Sequence, residues 1–224
     1  ILRRAEQFGA DRLTFDVEIT ELEPGQPVKR NGYAIVPYLA DHGGATAFGY
    51  ALVEEERRGR FNPELARSLG IPEGPLWGRI HRGESVTLDD GRVIEASVLV
   101  GEKRRGRRVV ITGDTRPSDG TVAAAEAADV LVHEATFGDE EAERAVETGH
   151  STAREAATVA ARAGVRRLVL THFSARYSRD PSDLEREAKQ VFPAVTIARD
   201  GMEIDIPFEA EGEQSPATPE RARA

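Results

Sequence analysis

The sequence contains no cysteine among its 224 residues. Disulfide bonds and thiolate metal sites are therefore excluded, and a transition metal could be held only by histidine and carboxylate side chains. No apolar run is long enough to span a membrane or to act as a signal peptide, because these runs have only strand length and arginine interrupts them. We therefore expect a cytoplasmic protein with no membrane partner.

The net charge of −9 argues against a nucleic-acid partner, but the charge is unevenly distributed. Residues 57–108 hold 12 Lys plus Arg against 7 Asp plus Glu, a net charge of +5, whereas the remainder of the chain carries −14. A charge run alone is most often a solvated surface. Nucleic-acid binding by this segment therefore needs support from motifs.

Three apolar, β-branched segments each end in a side chain that can bind a metal or transfer a proton. Residues 109–112 lead to Asp114, residues 129–132 lead to His133 and Glu134, and residues 167–170 lead to His172. Helical patterns separate these segments, so right-handed parallel crossovers are expected. In open α/β sheets the carboxyl edge of the strands is where ligands bind. The spacing therefore predicts a site at that edge.

The flanking segments predict the rest of an α/β fold. Residues 13–20, 34–39 and 48–54 have strand patterns and read as an antiparallel meander, with His42 just past a strand end. Residues 195–198 and 202–206 read as closing strands. Two capping boxes are predicted, Thr152 with Glu155 and Ser182 with Glu185. Residues 209–224 are small, polar and charged, and we expect them to be disordered.

Residues 57–108 differ in character and read as a protruding insertion. Asn62 followed by Pro63 predicts the start of a short helix, and Gly70 predicts its end. Residues 85–88 and 92–100 predict a hairpin around an Asp-Asp-Gly turn.

Four of the five histidines lie at strand ends or just before a helix: His42, His133, His150 and His172. The fifth, His81, falls in the insertion and is interpreted as a surface residue. Imidazole and carboxylate ligands suit zinc, and a bridging carboxylate commonly holds two ions. Together with Asp114, the histidines therefore predict a dinuclear zinc hydrolase.

Five motifs resemble, in order and spacing, the second half of the ribonuclease Z family, tRNA 3′-processing endonucleases of the metallo-β-lactamase superfamily. They are LGIPEGP at 69–75, GDTRP at 113–117, HEATF at 133–137, GHSTA at 149–153 and THFSARY at 171–177. The resemblance runs from about residue 15 to about residue 208. It implies an α/β fold of the metallo-β-lactamase type, an αββα sandwich, with residues 1–208 as a partial domain that contains a basic arm at 57–108.

Carried over position by position, the resemblance implies that Asp114 bridges two zinc ions, with His42 a ligand of one ion and His172 of the other. Glu134 and His150 resemble the dyad in which the carboxylate orients the imidazole and the imidazole protonates the leaving 3′ oxygen. Their structural alternatives are a helix-start residue and a capping neighbour. His133 is interpreted as a supporting or packing residue.

The same resemblance assigns substrate contacts to two places. Gly74 and Pro75 match the Gly-Pro motif of the family's tRNA-binding arm. Arg176 could contact the acceptor stem of the RNA, or could simply form salt bridges with its neighbours.

One motif of the family is absent. The His-x-His-x-Asp-His sequence, which supplies the other zinc ligands and the presumed proton acceptor for the attacking water, does not occur. The amino-terminal half of the family precedes the point where this sequence begins. We therefore expect a partial domain that exposes one sheet face, holds zinc poorly and is inactive alone.

The resemblance implies a zinc-dependent endoribonuclease that removes the 3′ trailer from precursor tRNA. It also implies a homodimer in which the arm of one subunit presents RNA to the site of the other. One alternative is a dinuclear zinc hydrolase of the same fold acting on a small phosphodiester or sulfate ester. A regulatory α/β domain, in which Asp114 binds Mg²⁺ or accepts phosphate, and an RNA-binding or dimerising remnant are the non-catalytic alternatives.

Overall fold

The computed structural model describes residues 20–208 of the protein. The predicted tail and all but the last residue of the predicted strand at 13–20 lie outside the described residues. Within that range the strands are β1 (Val28–Arg30), β2 (Tyr33–His42), β3 (Ala45–Glu54), β4 (Val86–Thr87), β5 (Val93–Ile94), β6 (Arg108–Ile111), β7 (Val130–Glu134), β8 (Leu168–Thr171) and β9 (Val195–Ile197). The α-helices are α1 (Pro63–Ser68), α2 (Pro75–His81), α3 (Ala96–Leu99), α4 (Asp119–Ala124), α5 (Ala142–Thr148), α6 (Ala153–Ala163) and α7 (Ser182–Lys189).

Seven strands form one mixed sheet in the order β1-β2-β3-β6-β7-β8-β9. The pairs from β1 to β6 are antiparallel and the pairs from β6 to β9 are parallel. Because two antiparallel steps separate β2 from β6, these two strands run in the same direction. The carboxyl ends of β2, β6, β7 and β8 therefore share one edge of the sheet.

A layer formed by α4, α6 and α7 covers one face of the sheet. Alanines along α6 are fully buried, and their small side chains allow the helix to lie close to leucines of β7 and β8. The predicted capping box at Thr152 and Glu155 is present, and Gly164 ends α6 in the left-handed conformation. Both ends of α6 therefore lie where the sequence predicts them.

The opposite face of the sheet is apolar and partly exposed. Tyr50 and Leu52 pair with Ile111 and Val109, so that these four side chains share that face and line a groove of about 490 Å³. Apart from the two-stranded β4-β5 sheet of the insertion, residues 20–208 thus supply one seven-stranded sheet and one helix layer. The second sheet and second helix layer of the expected sandwich are not among them.

Residues 61–100 enclose a second, smaller core. Its buried members are Ala66, Ile71, Ile80, Val86, Ile94 and Leu99. Asn62 caps α1 by accepting a hydrogen bond from the backbone N–H of Leu65, as predicted. The predicted hairpin is present as β4 and β5, but its second arm ends early because residues 96–99 fold into α3, where Leu99 packs into the core.

Two other predictions were wrong. Pro181 occupies the N-cap position of α7, and no side chain caps that helix, so the predicted capping box at Ser182 does not form. Residues 202–206 are not a strand. The carbonyl groups of Asp205 and Ile206 accept hydrogen bonds from the side chains of Arg167 and Arg107, and they do not pair with a neighbouring strand. Among residues 20–208, no helix is both long and apolar enough to cross a bilayer.

A tight contact between β2 and β3 generates the first prediction. Gly49 pairs with Tyr38, and a Cβ atom at Gly49 would overlap the Tyr38 ring. The ring is desolvated, and this burial raises the pKa of Tyr38 to about 12. We expect Gly49→Ala to lower the free energy of unfolding by about 1–3 kcal/mol in chemical denaturation, since the ring has little room to move.

The control is the double variant with Tyr38→Ala, which removes the overlapping ring. The cost of Gly49→Ala should shrink in that background, giving a coupling energy of about 0.5–3 kcal/mol. Additive costs would show that the overlap is not the cause.

Candidate metal and proton-transfer site

Five side chains that the sequence predicted as site residues lie together at the carboxyl edge of the sheet. His42 and Glu134 end β2 and β7, Asp114 and His172 follow β6 and β8, and His150 lies in the loop between α5 and α6. Potential ligand atoms lie within 4.8 Å of one another in two groups, His42 with Asp114 and His150, and Glu134 with His150 and His172. The shared direction of the four strands brings these distant positions together.

Glu134 is the buried centre of the cluster, with only 1% of its surface exposed. One carboxylate oxygen accepts hydrogen bonds from the backbone N–H of Thr115 at 3.0 Å and from His150 Nδ1 at 2.8 Å. The other accepts from the backbone N–H groups of Thr136 and Ser151 at 3.1 Å and from the Thr136 hydroxyl at 2.7 Å. These donors compensate the buried carboxylate, which would otherwise be costly.

Each of the three clustered imidazoles has its Nδ1 atom engaged by the protein. His42 Nδ1 lies 2.9 Å from the carbonyl oxygen of Gly149, His150 Nδ1 contacts Glu134, and His172 Nδ1 lies 2.9 Å from the Thr136 hydroxyl. The Thr136 hydroxyl donates to Glu134 and can therefore accept from His172. An acceptor at Nδ1 favours the tautomer that leaves Nε2 with a free lone pair, as histidines that bind metals usually require.

His172 holds a backbone conformation that is unusual for a residue with a side chain. Its φ angle is +59°, in the left-handed region. Such a conformation costs about 1–3 kcal/mol and persists only where the surroundings enforce it, often at functional sites. Its Nε2 atom lies 3.4 Å from Asp114 Oδ1, so this conformation places the imidazole beside the carboxylate.

The cluster has a buried side and an open side. Glu134 and His150 are largely covered, whereas the side chains of Asp114 and His172 are 44% and 48% exposed. Imidazole nitrogens and carboxylate oxygens are the donors that zinc prefers in the absence of thiolates. The donor set and the orientation of the imidazoles therefore fit a divalent metal centre that opens towards solvent.

Other residues named from the sequence lie outside this cluster. Gly74 and Pro75 begin α2, where Gly74 has a φ of +144° that favours glycine. Arg176 forms ion pairs with Glu140 and Glu141, and its contact with RNA stays a prediction.

His133 is fully buried, and this burial lowers its pKa. Its Nδ1 atom contacts the carbonyl of Glu134, and its Nε2 atom has no partner. It takes part in neither ligand group and packs beneath the site.

Sequence reasoning missed two residues that support the cluster, Thr136 and Arg116. Thr136 contacts Glu134, His150 and His172, and Arg116 bonds the backbone beside His150. Both lie inside motifs that carry the family resemblance, HEATF and GDTRP. Their position in these motifs could have identified them, whereas their residue types could not.

The basic charge of the insertion is not spread evenly over it. Residues 57–60 and 101–108, which we call the stalk, hold eight basic residues against one acidic residue, whereas residues 62–99, the arm tip, hold four against six. Arginines of the tip pair with nearby carboxylates, as Arg79 does with Glu84. Within the stalk, partial burial and the neighbouring Arg104 lower the pKa of Arg57, whose Nε atom has no hydrogen-bond partner. The stalk therefore has a higher formal positive charge than the tip, although Lys103, Arg105 and Arg107 pair with carboxylates.

Comparison with known proteins gives consistent results. Residues 79–173 match the model of a beta-lactamase superfamily domain. The chain is 67% identical over 217 residues to ribonuclease Z of Gemmatimonas aurantiaca, covering 96% of this chain and 69% of that protein. It is 53% identical over 209 residues to ribonuclease Z of Myxococcus xanthus, covering 93% and 68%. The chain thus spans about two thirds of these relatives.

A solved structure supports the fold. The metallo-beta-lactamase fold protein YhfI from Bacillus subtilis superposes with a TM-score of 0.55, covering 89% of this chain and 60% of that chain at 22% identity. The expected metallo-β-lactamase fold class is thereby confirmed for the region that superposes.

The contact between Gly149 and His42 generates the second prediction. Gly149 has a φ of +76°, and a Cβ atom there would lie 3.0 Å from His42 Nδ1. We expect Gly149→Ala to displace the His42 imidazole and to weaken binding of Co²⁺, followed by its visible absorption. The strained backbone should also cost about 1–2 kcal/mol of unfolding free energy.

Gly164→Ala is the matched control. Gly164 also ends a helix with positive φ, +61°, but a Cβ atom there meets nothing within 4 Å. This variant should lose similar stability and keep the Co²⁺ affinity of the parent. Equal loss of Co²⁺ affinity in both variants would contradict a specific role for the Gly149 contact.

Proposed function

Because the chain belongs to the ribonuclease Z family, we propose that it forms the larger part of a zinc-dependent endoribonuclease that removes the 3′ trailer from precursor tRNA. The observation that carries the proposal is the cluster at the sheet edge. Three imidazoles have their Nδ1 atoms engaged, a half-exposed aspartate lies beside them, and a buried glutamate bonds one of them.

His42, Asp114 and His172 are the residues that would hold zinc in this site. His42 and His172 would offer Nε2, and Asp114 would offer its carboxylate oxygens. Zinc bound there would lower the pKa of water and polarise the phosphodiester. Asp114 and His172 face solvent, so an RNA phosphate can approach them without any rearrangement of the buried side.

His150 is the proposed proton donor to the departing 3′ oxygen, and Glu134 is the residue that orients it. Imidazole exchanges protons near neutral pH, and an oxygen leaving at that pH needs a proton. The bond from His150 Nδ1 to Glu134 fixes the ring and leaves Nε2 directed away from the carboxylate. His150 also belongs to both ligand groups, so metal binding is the competing role for this residue.

The stalk and the arm tip are the proposed tRNA-binding region. Phosphate contacts dominate such binding. Gly74 and Pro75 in the tip match the family motif, and the stalk supplies the positive charge. The complete enzyme is proposed to be a cytoplasmic homodimer in which the arm of one subunit presents RNA to the site of the other.

The 224-residue chain is proposed to lack turnover on its own. Zinc sites need about four ligands per ion, and the clustered histidines and carboxylates among residues 20–208 are too few for two complete sites. Measurable cleavage of precursor tRNA by this chain with added zinc would contradict this.

The third prediction separates the chemistry from RNA binding. Deletion of residues 62–100 from the full-length enzyme should abolish cleavage of precursor tRNA, because the arm is lost. Hydrolysis of a small chromogenic phosphodiester should persist, because the cluster lies at the other end of β6. An equal loss of both activities would contradict the role of the arm. If the full-length enzyme hydrolysed the small ester but cleaved no precursor tRNA even with the arm intact, a small-ester hydrolase would be favoured.

The fourth prediction concerns the position of the phosphate contacts. Replacing Arg58 and Arg104 of the stalk by glutamine should weaken tRNA binding by this chain. It should also reduce the dependence of log K on log salt concentration by about 0.7–0.9 for each lost phosphate contact. Fluorescence anisotropy with labelled tRNA measures both.

The matched control replaces two tip arginines, Arg67 and Arg79, by glutamine. Each already pairs with a carboxylate, so the salt dependence should change little. A larger effect in the tip than in the stalk would reverse the assignment. We expect tRNA binding by this chain to be unchanged when zinc is removed, because the stalk contacts RNA phosphates.

A further inference from the structure

Arg116 belongs to neither ligand group, yet its side chain contacts the loop that carries His150. It follows β6 in the GDTRP segment, and its side chain is 19% exposed. The guanidinium donates two hydrogen bonds to the carboxylate of Glu155, at 2.8 and 2.5 Å. It also donates one to the backbone carbonyl of His150, at 2.6 Å. One side chain therefore bonds both the site loop and the helix that follows it.

The backbone around Arg116 is tied to a third segment. The N–H of Arg116 donates to the carbonyl of Asp41 at 2.5 Å, and the N–H of Asp41 donates to the Thr115 hydroxyl at 3.1 Å. Asp41 immediately precedes His42, and Asp114 lies two residues before Arg116. The same short segment thus connects the chain positions that carry His42, Asp114 and His150.

Glu155 provides a rigid anchor for this arrangement. It belongs to the capping box of α6, where its carboxylate accepts the N–H of Thr152 at 2.9 Å. A carboxylate fixed in this way can orient a planar guanidinium through two parallel hydrogen bonds. The third hydrogen bond of the guanidinium is then aimed at the carbonyl of His150. Lysine, with a point charge, cannot reproduce this fork.

We propose that Arg116 is a positioning residue, which sets the orientation of His150 and its register with His42 and Asp114 through the Glu155 anchor. Removal of the guanidinium leaves the His150 carbonyl without this donor. The His150 loop then moves, and the imidazole moves with it. The proposal rests on the proposed metal site only for the Zn²⁺ titration, which is the second of its two tests.

The test compares two matched ion pairs. Arg107 forms a similar fork with Glu54, with hydrogen bonds of 2.9 and 2.5 Å, and its side chain is 35% exposed against 19% for Arg116, but it lies at the other end of β6. Arg116→Gln and Arg107→Gln should therefore lose similar stability in chemical denaturation. The first readout is the ¹⁵N imidazole spectrum of the 224-residue chain, in which five histidines report separately and His81 in the arm serves as the internal reference.

Arg116→Gln is expected to shift the signals of His150 and His42 and leave that of His81 unchanged, whereas Arg107→Gln leaves all three unchanged. The second readout is Zn²⁺ titration, in which Arg116→Gln should raise the dissociation constant about 10–100-fold, the range typical for residues that orient ligands. Equal stability loss in both variants with unchanged imidazole signals in Arg116→Gln would overturn the proposal.

Two further variants keep the proposal testable if Arg116→Gln does not fold. Arg116→Lys retains the charge, and Glu155→Gln retains an acceptor for the cap. Each should produce the same shifts with smaller amplitude, and the absence of shifts in both folded variants would count against Arg116. If the parent chain binds no Zn²⁺, the proposed metal site fails in this chain, while the imidazole spectra still decide the role of Arg116.

Discussion

The site depends on a single buried carboxylate. Glu134 accepts backbone hydrogen bonds from three different loops, through Thr115, Thr136 and Ser151, and it also accepts from His150. Buried N–H groups need partners, and each loop would lose one if this carboxylate were absent. The carboxylate therefore holds the loops together as well as orienting an imidazole.

This constraint explains why the cluster can be assembled from strand ends that are far apart in sequence. The sheet brings β2, β6, β7 and β8 to one edge, but strand ends alone leave the following loops free to point elsewhere. Glu134 connects the loop after β6, the loop after β7 and the loop before α6. Arg116 then connects the first and last of these to the end of β2. The positions of the imidazoles follow from backbone contacts more than from contacts between their own rings.

Much of this could be predicted from the sequence, because the relevant signals are local. An apolar strand that ends in Gly-Asp or His-Glu indicates which residues reach the edge of a parallel sheet, and Thr152 with Glu155 indicates where α6 begins. Other features depend on contacts between distant segments. The left-handed backbone of His172, the acceptor at each Nδ1 and the use of Thr136 as a bridge have no local pattern. The failed strand at 202–206 has the same origin, since arginine side chains from elsewhere take its carbonyl groups.

The unequal burial of the cluster determines how a ligand can use it. A group arriving from solvent meets Asp114 and His172 first, because about half of each side chain is exposed, while Glu134 remains behind His150. A negatively charged phosphate would be repelled by the open carboxylate of Asp114, so this residue is compatible with such a ligand only when cations neutralise it. The single buried glutamate, already saturated with donors, adds little to that repulsion. Protein donors thus satisfy the buried carboxylate of Glu134. The carboxylate of Asp114 stays open to solvent, and a cation has to bind there before an anion can.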